Sequence, residues 1–148
     1  MTNEPYRLVS VQQMRALESA AMAAGTGERE LQERAGLAVA EVAASIRRTP
    51  GRVEALVGKG NNGRDAVVAA RDLVQRGWQA HCWLAPGHAV ADHELETLRS
   101  MGIPWSLLEA TGSTPALETT LQSADVVLDG LLGVGAHGPM REPLADRK

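Results

Sequence analysis

Hydrophobic positions in the first 50 residues recur at helical spacing, in two separate stretches. The first follows Ser10 and Gln13, a pair with the spacing of a capping box, and its apolar positions from Met14 onward end at Gly25, a helix stop. The second carries apolar residues along one stripe and ends before Pro50. That stripe, expected to be a packing surface, consists of Leu31, Ala35, Val39, Val42 and Ile46.

After Pro50 the pattern alternates between short apolar runs and amphipathic stretches. It predicts strands at about 52–57, 79–84, 105–108 and 125–128, and helices at about 65–76, 92–101 and 115–123. Strands separated by helices indicate a parallel sheet with crossovers on its faces. We expect an α/β, Rossmann-like three-layer fold with a mostly parallel sheet, preceded by two helices and forming one domain over 1–148. The run 125–128 is apolar on both faces and should lie inside the sheet.

Composition removes several function classes. The net charge of −3 provides no basic footprint for nucleic acid, and no apolar stretch reaches the roughly 20 residues that span a bilayer. The N-terminus has no signal-peptide pattern, and the single cysteine, Cys82, is typical of a reducing compartment and of a small core residue. We therefore expect a cytoplasmic protein without membrane or nucleic-acid partners.

The segment 58–65, Gly-Lys-Gly-Asn-Asn-Gly-Arg-Asp, follows the strand at 52–57 and opens the next helix. Glycines at 58, 60 and 63 allow a tight turn and a close ligand approach, and such a loop directs N–H groups toward an anion. A second explanation stays open, because any tight strand-to-helix connection uses glycine. The segment lacks the Gly-Lys-Ser/Thr of a Walker loop and matches the dinucleotide fingerprint only formally.

A second polar loop, 129–139, follows the strand at 125–128. Ligands of open parallel sheets bind beyond the carboxyl ends of strands, near the point where strand order reverses. If the two strands are neighbours, both loops face one cleft. Asp129 stands where the strand should end, either as a cap or as a ligand-binding carboxylate.

Three blocks together resemble the YjeF N-terminal domain family, whose members are NAD(P)H-hydrate epimerases. They are Leu-Gln-Glu-Arg-Ala-Gly at 31–36, Gly-Lys-Gly-Asn-Asn-Gly-Arg-Asp at 58–65 and Val-Val-Leu-Asp-Gly-Leu-Leu-Gly-Val-Gly at 126–135. The resemblance runs from about Met14 to about Pro143. It implies interconversion of the R and S hydrates of NADH and NADPH (NADHX and NADPHX), a change of stereochemistry without hydride transfer.

The resemblance also implies site residues and partners. Asn62 and Asp129 match the family's ligands for a monovalent cation, usually K+, and hard cations prefer such oxygen donors. The expected partners are the substrate NADHX or NADPHX, a second copy in a homodimer, and a fused or separate ADP/ATP-dependent dehydratase domain. The residues expected to contact substrate are Asn61, Asn62, Gly63, Arg64, Asp65, Gly133, Val134, Gly135, Ala136, His137, Gly138 and Pro139.

The chain departs from the family pattern in two places. Where relatives commonly have Gly-Gly-Asp-Gly, it has Gly63-Arg64-Asp65-Ala66, and a positive φ at position 64 would strain the arginine. It also lacks the family's Asp-x-Pro-Ser-Gly turn, which supplies a further cation ligand and the acidic residue at the substrate. The catalytic residue therefore stays unassigned, and we expect a domain truncated before that turn, self-associating and inactive when isolated. A non-catalytic YjeF-like module that binds a nucleotide or a protein, or an inactive fragment, is the alternative.

Overall fold

A computed structural model of the chain describes residues 8–87, 93–109 and 114–133. The chain divides into two compact units, 1–31 and 32–148, and the boundary falls within the second helix. In the first unit, α1 (Val11–Ala23) begins with the predicted capping box. The Ser10 hydroxyl accepts from the Gln13 N–H at 3.2 Å, and the Gln13 side chain accepts from the Ser10 N–H at 2.8 Å. Gly25 follows the helix with φ +98°, which confirms it as the stop.

The second unit contains a sheet of four parallel strands in the order β3-β2-β1-β4. The strands are β1 (Arg52–Val57), β2 (Gln79–Leu84), β3 (Trp105–Leu107) and β4 (Val126–Gly130). The helices are α2 (Glu28–Ser45), α3 (Asn61–Gln75), α4 (His93–Ser100) and α5 (Pro115–Gln122). The alternation of strands and helices and the parallel sheet confirm the predicted fold class.

Helices cover both faces of the sheet. Alternate residues of each strand point to opposite sides, so each face presents apolar side chains that a helix buries. On one face, the fully buried Val53, Ala55 and Val57 of β1 pack with α3 residues such as Leu73. On the other face, Trp83 of β2 packs with Leu117 of α5 in a separate cluster. Aliphatic and small residues therefore dominate the main core, as the scarcity of aromatic residues predicts.

The prediction that the apolar stripe is the packing surface of α2 is wrong, because the small residues of this helix face the core instead. Gly36, Ala40 and Ala43 are buried, whereas Val42 and Ile46 are 66% and 63% exposed. A Cβ on Gly36 would overlap Val68 of α3 and lie 2.8 Å from the Asp65 carbonyl oxygen. An ion pair between Glu33 and Arg71 joins the same two helices. The close crossing of α2 and α3 thus accounts for the glycine that ends the 31–36 block.

Two element boundaries differ from the prediction by more than one residue. Helix α3 begins at Asn61, four residues early, because its N-cap is Gly60, which lacks the capping side chain that marks a helix start in sequence. Strand β4 extends to Gly130, so Asp129 lies within the strand, opposite Leu56 of β1. Val126 and Leu128 are buried, but Val127 is 45% exposed, so the expectation of burial on both faces is wrong for this residue. None of the described helices has the length and apolarity needed to cross a bilayer.

Candidate functional site

The candidate site lies at the carboxyl edge of the sheet, between β1 and β4. The chain order reverses here, since β2 lies on one side of β1 and β4 on the other. The Gly58 N–H, just after β1, donates to the Gly130 carbonyl at the end of β4, at 3.1 Å. The prediction that the two strands are neighbours is confirmed, and the loops that follow them start side by side.

Three glycines at this edge are required by close packing. A Cβ on Gly58 would lie 2.8 Å from the Gly130 carbonyl oxygen, and one on Gly63 would overlap the Gly58 carbonyl. A Cβ on Gly130 would lie 2.8 Å from the Ala66 Cβ. These approaches are far shorter than ordinary van der Waals contact, so the tightness of the connection explains Gly58 and Gly63 without any ligand.

Gly60 has no such requirement. It is exposed, its φ of −89° and ψ of −174° are open to any residue, and a Cβ there would meet nothing within 4 Å. It occupies the N-cap of α3, where Ser, Thr, Asp or Asn would stabilise the helix, yet no side chain caps this end. The Gly63 and Arg64 N–H groups donate to the Gly60 carbonyl. The N-terminus of α3 therefore presents the N–H groups of Asn61 and Asn62, and the positive end of its dipole, at the carboxyl edge of the sheet.

Asn62 joins the first turn of α3 to the end of β4. Its side-chain amide donates to the Leu132 carbonyl at 3.0 Å and lies 3.4 Å from the Asp129 carbonyl oxygen. The Asp129 carboxylate, which is exposed, accepts from the Leu131 N–H at 3.0 Å. The structure thus brings the Asn62 amide nitrogen together with the backbone carbonyl oxygens of Asp129 and Leu132. Among the described residues, no group of three or more His, Cys, Asp or Glu side chains could hold a metal ion.

Arg64 lies in the first turn of α3 and contacts α4. Its Nε lies 2.8 Å from the carboxylate of Glu94, whose side chain is only 11% exposed. No described residue other than glycine has a positive φ, so the arginine that replaces the family's glycine carries no backbone strain. Arg64 therefore balances a largely buried carboxylate while its own side chain stays 47% exposed at the edge of the site.

The other predicted substrate residues divide into two groups. Asn61 is exposed at the start of α3, and Asp65 is half-buried beside Gly36 of α2. Gly133 ends the described part of the second loop, and a Cβ there would lie 3.3 Å from the Cβ of Asn62. The remaining members, Val134, Gly135, Ala136, His137, Gly138 and Pro139, lie outside the described residues.

The sequence pattern did not single out Lys59, which occupies the same loop. Its side chain extends to the turn after β2, where Gly87 has φ +86° and a Cβ on Gly87 would overlap the Lys59 ammonium. The position of Lys59 between two glycines was the one signal in the sequence that could have drawn attention to it. The direction of its side chain could not be predicted, because it depends on Gly87, which lies 28 residues further along the chain.

Beneath the site, the sheet contains a buried carboxylate that the sequence pattern did not predict either. Glu54 of β1 is 0% exposed and accepts from the Arg52 Nε at 2.7 Å and the Trp83 indole N–H at 2.8 Å. His81 Nδ1 lies 3.4 Å from Glu54, and burial lowers the pKa of His81. Its other ring nitrogen lies 3.2 Å from the Ser106 hydroxyl. Cys82 is buried, as predicted for a small core residue, and burial raises its pKa to about 12.

Comparisons with known proteins agree with this geometry. The family described as YjeF-related protein N-terminus matches residues 28–147. The chain is 37% identical to the NAD(P)H-hydrate epimerase of Rhodobacter capsulatus over 86% of the chain and 62% of the relative. It is 32% identical to the bifunctional NAD(P)H-hydrate repair enzyme Nnr of Methanospirillum hungatei, over 93% of the chain and 29% of the relative. The crystal structure of yeast ynu0 superimposes with a TM-score of 0.78 at 22% identity, over 94% of the chain and 62% of the yeast chain.

The fold and the edge between β1 and β4 define a Rossmann-like α/β domain whose topological switch point lies at this edge, the position where ligands of open parallel sheets bind. The family match covers most of the chain, and the chain accordingly belongs to the YjeF-related protein N-terminus family. It spans less than two thirds of the length of each of these relatives.

Proposed function

We propose that this chain provides the substrate cleft of an NAD(P)H-hydrate epimerase, which interconverts the R and S forms of NADHX and NADPHX. The observation that carries the proposal is Gly60, a glycine that neither the backbone conformation nor the packing of α3 requires. Its small size leaves the N-terminus of α3 open to an anion, and a dinucleotide carries a pyrophosphate that suits this position. The names of the relatives in Rhodobacter and Methanospirillum support the activity and a partnership with a dehydratase domain.

In this proposal the residues of α3 and of the second loop bind and orient the substrate. Asn61 faces the phosphates, next to Gly63, whose own N–H donates to the Gly60 carbonyl at 3.0 Å. Arg64 and Asp65 line the side toward α4 and α2, and Gly133 begins the opposite wall. Residues 134–139, which lie outside the described part of the chain, are proposed to contact the substrate as well. The role assigned to this chain is binding and orientation, and the residue that moves the proton during epimerisation stays unassigned.

We further propose that K+ binds at the corner of Asn62 and Asp129. The donor types suit a hard monovalent cation: the carbonyl oxygens of Asp129 and Leu132 lie at the Asn62 amide, and Asp129 also provides a carboxylate, which accepts from the Leu131 N–H. The Asn62 amide needs only to turn its oxygen toward the ion. When bound, the ion would neutralise Asp129 and fix the loop that follows β4. The protein is proposed to act in the cytoplasm, where Cys82 stays reduced.

The test compares Gly60→Ser with Gly27→Ser in a completed domain, in which a segment with the family's Asp-x-Pro-Ser-Gly turn follows this chain. Gly27 is a matched control, because it precedes α2, its carbonyl accepts from the Leu31 N–H at 3.1 Å, and a Cβ added there would meet no atom within 4 Å. Serine caps a helix better than glycine by a few tenths of a kcal/mol, so both variants should keep or raise the unfolding midpoint.

Epimerisation of S- and R-NADHX, followed by chromatography, should fall at least about tenfold in Gly60→Ser, because the side chain and its hydroxyl fill the proposed phosphate position. Gly27→Ser should retain the rate of the unaltered protein. Full activity in Gly60→Ser would contradict the proposed anion position. A protein that binds NADHX without interconverting its epimers would establish the alternative, a binding module.

A further inference from the structure

We propose that Lys59 gives the site a preference for the substrate that carries an extra phosphate on its adenosine ribose, NADPHX over NADHX. The inference rests on the proposed function for the identity of the ligand. It concerns one side of the cleft only, the side of β1 that faces β2.

The first observation is where the Lys59 side chain lies. Lys59 projects from the loop between β1 and α3, and its ammonium reaches the turn that follows β2. A Cβ on Gly87 would lie 2.9 Å from the Lys59 Cε and would overlap the ammonium itself. The absence of a side chain at Gly87 therefore creates the space in which the ammonium sits, at the carboxyl end of β2.

The second observation is that none of the described residues pairs with this cation. Within the part of the chain that the structure describes, Lys59 makes no hydrogen bond and no ion pair, and its side chain is exposed. The neighbouring Arg64, by contrast, is paired with Glu94. An unpaired positive charge at a cleft attracts an anionic ligand, and a phosphate dianion gains the most from it.

The third observation is the chemistry of the β2 terminus. In dinucleotide sites of parallel α/β sheets, the end of the second strand lies at the adenosine ribose, where a carboxylate receives the 2′-hydroxyl and a basic residue receives a 2′-phosphate. Here β2 ends at Leu84 and is followed by Ala85, Pro86 and Gly87, none of which has a carboxylate. The Lys59 ammonium lies beside Gly87, so the charge that the described residues place at this end of the sheet suits a 2′-phosphate.

The experiment measures binding of NADP+ and NAD+ by isothermal titration calorimetry, since these stable probes differ only in the ribose phosphate. The unaltered protein should bind NADP+ at least about tenfold more tightly, and Lys59→Gln should reduce this ratio to near one while leaving NAD+ affinity within about twofold. Lys59→Arg should keep the preference. Arg99→Gln, which removes an exposed cation at the opposite end of α4, should also keep it.

Equal affinity for the two probes in the unaltered protein, or an unchanged ratio in Lys59→Gln, would overturn the inference, as would failure to bind either probe. Thermal midpoints of all variants verify folding, which the exposed position of Lys59 should leave unaffected. Epimerisation of NADHX is assayed separately. A protein that selects NADP+ through Lys59 but leaves both hydrates unchanged would sustain this inference while the proposed activity fails.

Discussion

At the scale of single residues, Asn62 and Asp129 show how two positions 67 residues apart form one corner. The Asn62 amide contacts backbone carbonyls at the end of β4, and the Asp129 carboxylate holds the next turn through the Leu131 N–H. The carboxylate has a second oxygen with no protein donor in the described residues, which leaves it available to an ion. This arrangement leads to a prediction about potassium.

Replacing Asp129 by Asn should weaken potassium binding by about 1.5 to 3 kcal/mol, because a charge-assisted contact becomes a neutral one. The measurement is the rise in thermal midpoint with KCl over matched choline chloride, since a ligand that binds the folded state stabilises it by mass action. Asp125→Asn is the control, because Asp125 lies at the other end of the same strand and pairs with Arg47. It should lower the baseline stability but keep the potassium response. An unchanged response in Asp129→Asn would make Asp129 a structural residue only.

The glycines of the first loop show what sequence can and cannot resolve at this scale. Gly58, Gly60 and Gly63 look equivalent in the sequence, but the packing explanation holds for two of them only. Packing against Gly130 and within the loop requires Gly58 and Gly63, whereas Gly60 meets no atom. The distinction depends on a neighbouring strand that is remote in sequence, so no local pattern could separate the three.

At the scale of elements, the crossing of α2 and α3 depends on the absence of a side chain at Gly36. Gly36→Ala should lower the free energy of unfolding by about 1 to 3 kcal/mol, because the new methyl group overlaps Val68 and must displace a packed helix. Val42→Ala removes both Cγ methyl groups from a residue of the same helix but should change stability by no more than about 0.5 kcal/mol, since Val42 is 66% exposed.

Urea denaturation of both variants provides the comparison for α2. The reverse ranking, with Val42→Ala the more destabilising, would mean that the apolar stripe packs after all.

The sequence predicted the two strands 52–57 and 79–84 to the residue, because alternation and glycine boundaries mark them clearly. It misjudged the buried face of α2, because hydrophobic periodicity gives weight to large side chains, whereas close helix packing selects small ones.

At the scale of the whole molecule, the network around Glu54 should make stability depend on pH. Burial lowers the pKa of His81 from its ordinary value of about 6.5, and Arg52 adds to this effect, although the Glu54 carboxylate opposes it. Below about pH 6.5 the unfolded chain therefore binds a proton at this residue that the folded chain resists. The free energy of unfolding should fall as the pH decreases from about 7 toward 5, and the contribution is complete above that window.

Urea unfolding at pH 7.5 and 5.5 measures this difference. His81→Gln should reduce the decrease between the two pH values, whereas His93→Gln, at the exposed start of α4, should leave it as in the unaltered protein. An identical pH profile in His81→Gln would show that other groups dominate the pH dependence of the free energy of unfolding.

Sequence alone did not indicate this network, because its members come from three strands and meet only through the register of the sheet.

The exposed Lys59 side chain beside Gly87 also makes the protein suited to covalent footprinting. Of the 15 basic residues, only Lys59 and Lys148 are lysines, and arginine supplies the rest. An amine-acylating reagent would therefore modify the chain at two side chains and the N-terminal amine, and peptide mass spectrometry could quantify each. Occupation of the cleft should slow acylation at Lys59 and leave the other two rates unchanged, so that the reactivity of one lysine reports ligand binding without any labelled substrate.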